Sequence, residues 1–138
     1  MACHDDMTVR HLEMIQAVIT RQAGNSFALK AITGTLTAAI LAYAASASEP
    51  SHWFAIAGLV PVVAFWHLDA MYLRQERLFR ALYDAVRKGE HRDDGPFSMD
   101  LDSYLDTVPS TPHIAFTWSV LWFYAVLALI LVALAFTL

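Results

Sequence analysis

Hydrophobic and polar positions fall into two regimes along this chain. Phe27–Ala47, Trp53–Leu68 and Ile114–Leu138 are nearly continuous apolar runs. Each approaches or exceeds the roughly 20 helical residues that cross about 30 Å of hydrocarbon. Elsewhere apolar residues recur at helical spacing. Leu12, Ile15, Ile19 and Ala23 make one stripe, with Met7, Met14 and Val18 beside it. This predicts an amphipathic helix over 7–23, capped by Asp5 or Asp6. It either lies along a membrane surface or packs on the helix that follows the second span. Phe65, Leu68, Tyr72, Phe79, Leu82, Tyr83 and Val86 make a second stripe. Val62 to Lys88 contains neither proline nor glycine, so the second span is expected to continue as a long charged helix.

The predicted fold is therefore an all-α membrane protein. It has an N-terminal amphipathic helix, three transmembrane helices, and a second span extended as a long cytoplasmic helix. The expected organisation is a cytoplasmic amphipathic helix over 1–26, two spans and the extension over 27–88, an acidic cytoplasmic loop over 89–112, and a third span over 113–138. Gly24-Asn25-Ser26 reads as a break before the membrane, and Glu49-Pro50-Ser51 as a short outer turn. Pro61 removes a backbone hydrogen bond from the second span and is a candidate kink. Ser98 is a candidate cap for a short helix in which Leu101, Tyr104, Leu105 and Val108 pack together.

Charge sets the orientation. All nine basic residues, at 10, 21, 30, 74, 77, 80, 87, 88 and 92, fall before the first span ends its entry turn or between the second and third spans. Basic residues are retained on the cytoplasmic side. The N-terminus and the 69–113 region are expected in the cytoplasm, and the protein in a bacterial inner (cytoplasmic) membrane. Trp53 and Trp66 flank the second span as interfacial aromatics do. Ala45-Ser46-Ala47 resembles a signal-peptidase site, but the leader before it is acidic and helix-patterned and the apolar run is too long. The net charge of −4 argues against polyanion binding over the whole surface, and a single cysteine, Cys3, forms no internal disulfide.

Candidate chemistry is sparse. The six histidines are scattered, with no metal-ligand spacing, and His91-Arg92-Asp93-Asp94 reads as a solvated loop. Arg87 to His91 is too short a gap for an Arg-x4–6-His ribonuclease motif. No phosphate loop or nucleophile elbow occurs, so neither an enzyme, a metal site nor a cofactor is expected. In the first span Gly34, Ala38 and Ala42 make a small-xxx-small ridge suited to an oligomer interface. Lys30, Thr33 and Thr37 share a neighbouring face. They read either as packing with satisfied hydroxyls or as a pore-lining wall. Arg74, Arg77 and Arg80, with Lys30 and Arg21 facing them, read either as an anchor to anionic headgroups or as a phosphate-binding site.

Two blocks carry a resemblance. One is His11-Leu12-Glu13-Met14-Ile15-Gln16 with Asn25-Ser26-Phe27-x-Leu29-Lys30. The other is Phe65-Trp66-x-Leu68-Asp69 with Leu73-Arg74-Gln75-Glu76-Arg77-Leu78-Phe79-Arg80-x-Leu82-Tyr83. They resemble small bacterial multi-span membrane effectors of anti-phage defence, a group similar to the Hailong channel effectors. In those systems a partner nucleotidyltransferase controls the effector through a DNA oligomer. The resemblance implies a cytoplasmic sensor and a membrane pore in a homo-oligomer, a tetramer or larger ring, with a nucleotide or short DNA as the signal. Three short spans cannot enclose a pore alone, which points the same way. The alternative is a non-conducting membrane anchor or assembly subunit that docks a cytoplasmic partner through the acidic 90–108 segment.

Overall fold

A computed structural model describes residues 2–49, 51–90, 95 and 97–138, with side chains from residue 6 onward. The expected loop at 91–94 and Pro50 of the expected turn lie outside the described residues. Among those described the only regular structure is helical: α1 (Ala2–Ser46), α2 (His52–Lys88), a 3-10 helix (Asp102–Thr107), α3 (Thr111–Ala115) and α4 (Trp118–Thr137). Helices α1, α2 and α4 are long and apolar enough to cross a membrane.

The expected break at Gly24-Asn25-Ser26 does not occur, because α1 runs through it. A helical glycine costs only about 1 kcal/mol relative to alanine. Burial on both sides, at Ile19, Gln22 and Leu29, outweighs that cost. Nor do Asp5 and Asp6 cap the helix, which already begins at Ala2. The buried line of α1 passes through His11, Ile15, Ile19, Gln22, Leu29, Thr33 and Thr37. These steps of three, four and seven make one seam along the helix. Leu12 lies beside it half-buried, and Ala23 is exposed.

α1 and α2 form an antiparallel hairpin. Facing residues have numbers that add to within one of 98: Tyr43 with Phe54, Ile40 with Gly58, Lys30 with Asp69, and Gln22 with Gln75. Pro61 lies inside α2 without ending it. Leu68 of the expected stripe is exposed, while Leu82 and Val86 are buried. α2 stops at Gly89, whose φ of 71° is left-handed. The Gly89 amide donates to Val86 O at 3.2 Å and the Glu90 amide to Ala85 O at 2.9 Å, the paired bonds of a Schellman motif.

The third apolar run is divided. Phe116 and Thr117 separate α3 from α4, whereas one helix was expected. Thr117 is extended, and its Oγ1 donates to Ile114 O at 2.6 Å. The Trp66 indole N–H satisfies Ala115 O at 2.9 Å, so α2 itself holds the end of α3. Pro112 sits in the first turn of α3, where its missing N–H removes no helical bond.

Three apolar clusters result. Ile15, Ile19, Leu82 and Val86 form one at the open end of the hairpin, covered by Phe79, Met99, Leu101 and Tyr104. The stretch of α1 that carries Ile15 and Ile19 therefore packs on α2. Ala70, Ile114 and Ala115 form a second with Trp66 and Val108. Val62, Val120, Tyr124 and Leu131 form the third, between α2 and α4 with Ile40 of α1 beside them. Ser98 caps no helix. Its Oγ accepts from the Asp100 amide at 3.3 Å, and Leu101 stands at the start of the 3-10 helix.

Candidate functional site

A belt of polar side chains separates the open-end cluster from the α2–α4 cluster. On α2, Asp69 has no exposed surface. Its Oδ2 accepts from Lys30 Nζ of α1, and its Oδ1 accepts from the Ser26 hydroxyl. Lys30 Nζ also donates to Ser26 Oγ at 3.0 Å. Ser26 and Lys30 are one helical turn apart, so both reach the same carboxylate. Thr33 continues the line, fully buried, and Tyr124 of α4 brings its hydroxyl beside Asp69 and Thr33. That hydroxyl is buried and meets no partner at hydrogen-bonding geometry. One turn towards the open end, Gln22 Nε2 donates to Gln75 Oε1 at 3.0 Å, leaving Gln22 Oε1 unpartnered.

The depth of the belt follows from helix rise. Lys30 lies 16 residues from Ser46, the end of α1, and Asp69 lies 17 from His52, the start of α2. At 1.5 Å per residue each is about 25 Å from the 47–51 turn. This is nearly the hydrocarbon thickness of about 30 Å. An ionised carboxylate with no exposed surface needs a cation. Breaking a buried pair by removing one partner costs about 3–5 kcal/mol.

The residues expected to line a pore are inside the protomer. Thr33 and Thr37 are buried, and their hydroxyls donate to Leu29 O at 2.6 Å and Thr33 O at 2.9 Å. These bonds correspond to the packed, satisfied reading of that face. Lys30 is bound to Asp69 and lies with them. The Gly34, Ala38 and Ala42 ridge faces outward: Gly34 is half-buried, the two alanines are exposed, and a Cβ at Gly34 meets nothing within 4 Å.

The expected phosphate-binding residues are spread around α2. Arg74 Nε donates to Pro109 O at 3.2 Å, tying the helix to the segment before α3. Arg80 pairs with Glu76 at 2.7 Å, and Arg87 pairs with Asp84 at 3.5 Å. Arg77 is half-buried and forms no ion pair among the described residues. The hairpin register puts Arg21, exposed on α1, at the level of Arg77. No group of His, Cys, Asp and Glu that would hold a metal occurs among the described residues.

Lys30 belongs to both the pore-lining and the phosphate-binding candidates read from the sequence, but its partner Asp69 belongs to neither. Ser26 falls within the expected break, and Tyr124 within the third apolar run. The available signal was distance from the turn, because Lys30 and Asp69 lie 19 and 20 residues either side of Glu49. Comparison with known protein families, with curated proteins and with solved structures finds no match to this chain.

Proposed function

We propose that this chain is the subunit of an oligomeric ion channel in a bacterial cytoplasmic membrane, gated from the cytoplasm by a nucleotide or oligonucleotide. Opening depolarises the membrane in anti-phage defence, as the resemblance to Hailong-type effectors implies. The observation that carries the reading is the continuity of α1 and α2 from their apolar halves into the paired, charged open end. A ligand held at that end has a rigid route to the spans, with the Lys30–Asp69–Ser26 contacts holding both helices together on the way. The conducting path lies between subunits, because the protomer core beyond Thr37 is closed by Ile40, Gly58, Val62 and Leu131. Arg77, Arg21 and Arg74 are the residues placed against the signal. A ligand gates only by binding the closed and open states unequally.

The test is conductance of the purified protein in liposomes, with and without a short single-stranded DNA. Wild type is expected to conduct, and the oligonucleotide to change the current. Arg74→Ala/Arg77→Ala is expected to keep conductance and lose the response. Liposomes that remain tight under every condition refute the channel. In that case the anchor reading takes its place, favoured by the exposed carboxylates of Asp100, Asp102 and Asp106 on a segment pinned against the α1–α2 pair.

A further inference from the structure

We infer that the cup around Asp69 is a binding site for one monovalent cation, and that the Lys30 ammonium is its tethered occupant. Oxygens gather in the cup: both carboxylate oxygens of Asp69 and the hydroxyl of Ser26, with the Tyr124 hydroxyl beside Asp69 and Thr33. Asp69 and Thr33 have no exposed surface and Tyr124 is 3% exposed. The Tyr124 hydroxyl is the second, independent observation. It is buried and sits beside the Asp69 carboxylate and Thr33, with no partner at full hydrogen-bonding geometry. A polar group in that position is costly unless something in the cup takes up its lone pair or its proton.

Charge balance selects the valence. The cup carries a single carboxylate, and a buried site is tolerated when its charges cancel. One positive charge neutralises it, whereas a divalent ion leaves an excess and requires a fuller set of oxygens. Lys30 enters from the accessible side, since its side chain is 27% exposed and that of Asp69 is not exposed at all. It forms only two contacts there, with Asp69 and Ser26. The cup ends at Thr37, beyond which the core is apolar. Its occupancy therefore does not depend on whether the assembly conducts.

The experiment removes the tether. Lys30→Ala, purified in detergent, is unfolded by heat in choline chloride and then in increasing sodium, potassium or ethylammonium chloride at constant ionic strength. The expected result is a lowered midpoint in choline that rises along a saturating curve with at least one small cation. Lys30→Ala/Asp69→Asn is expected to be more stable than Lys30→Ala in choline and indifferent to the cation. Wild type is expected to be indifferent as well, because the site is filled. Tyr124→Phe in the Lys30→Ala background is expected to weaken the apparent cation affinity several-fold. Equal midpoints for Lys30→Ala in choline and in every small cation overturn the proposal. So does failure of Lys30→Ala to fold in any of them while the double variant folds. Lys30→Gln, which keeps much of the side-chain length without the charge, is carried through the same series, and the same flat response counts against the site.

Discussion

Two glycines in the apolar halves of the hairpin separate packing within the chain from packing between chains. At Gly58 of α2, a Cβ would stand 2.5 Å from Ile40 Cδ1 and 3.3 Å from Leu131 Cδ1. α1 and α4 thus both reach α2 at this residue. Those atoms are the ends of flexible side chains, so Gly58→Ala is accommodated by their turning aside. Gly58→Leu adds three more carbons to the same gap, and overpacking of this kind costs about 1–3 kcal/mol. At Gly34 of α1, a Cβ meets nothing within 4 Å. Gly34→Leu therefore leaves the protomer intact, and loss of a helical glycine favours the helix by up to about 1 kcal/mol. The assay is thermal unfolding together with particle mass by light scattering, in one detergent. Gly58→Leu is expected to lower the midpoint, with Gly58→Ala close to wild type. Gly34→Leu is expected to reduce the mass, because the Gly34/Ala38/Ala42 ridge then no longer lets two α1 helices approach. Unchanged mass for Gly34→Leu removes this ridge from the interface. An unchanged midpoint for Gly58→Leu refutes the close meeting of α1, α2 and α4.

Further outcomes follow from other contacts. Leu82 has no exposed surface and lies at the centre of the open-end cluster, so Leu82→Ala is expected to cost about 2–5 kcal/mol and to speed proteolysis of the 97–108 segment, an effect that equal cleavage rates would exclude. Trp66→Phe removes the donor to Ala115 O and is expected to cost about 1–3 kcal/mol, measured by denaturant unfolding; Trp66→His, able to donate again, recovers part of the loss. A reporter fused after Leu138 is expected to read extracytoplasmic and one inserted in the 90–110 loop cytoplasmic. A cytoplasmic reading after Leu138 contradicts the orientation drawn from the basic residues.

The all-helical class and the three membrane-length segments were legible because run length needs no partner to interpret. The unbroken second helix was legible for the same reason, from the absence of proline and glycine between Val62 and Lys88. The first helix was not. Gly24-Asn25-Ser26 has the local character of a break, and only burial of Gln22 and Leu29 around it and the Ser26 contact with Asp69 make it helix. The third segment failed in the opposite direction. Its composition is uniformly apolar, yet Thr117 turns its hydroxyl to Ile114 O and interrupts the helix. At the site, residue type identified Lys30 and the threonines as polar intruders but did not say which way they face. That depends on the hairpin register, which a turn of five residues nearly fixes once both helices are known to be continuous.

Asp69 divides α2 almost equally, with 17 residues of the helix before it and 19 after. It is also where α2 is fastened to α1, by ionic and hydroxyl contacts rather than by compliant apolar ones. A stiff rod held near its middle is a balanced lever, and the ion pair is its fulcrum. Each arm is about 26–28 Å long at 1.5 Å per residue. Both arms are also packed on α1, by Leu82 and Val86 at the open end and by Gly58 and Phe54 towards the turn, so a movement begun at one end reaches the other only by carrying the two helices together. The strength of the fulcrum sets how much of that movement is transmitted and how much is lost as sliding of one helix along the other.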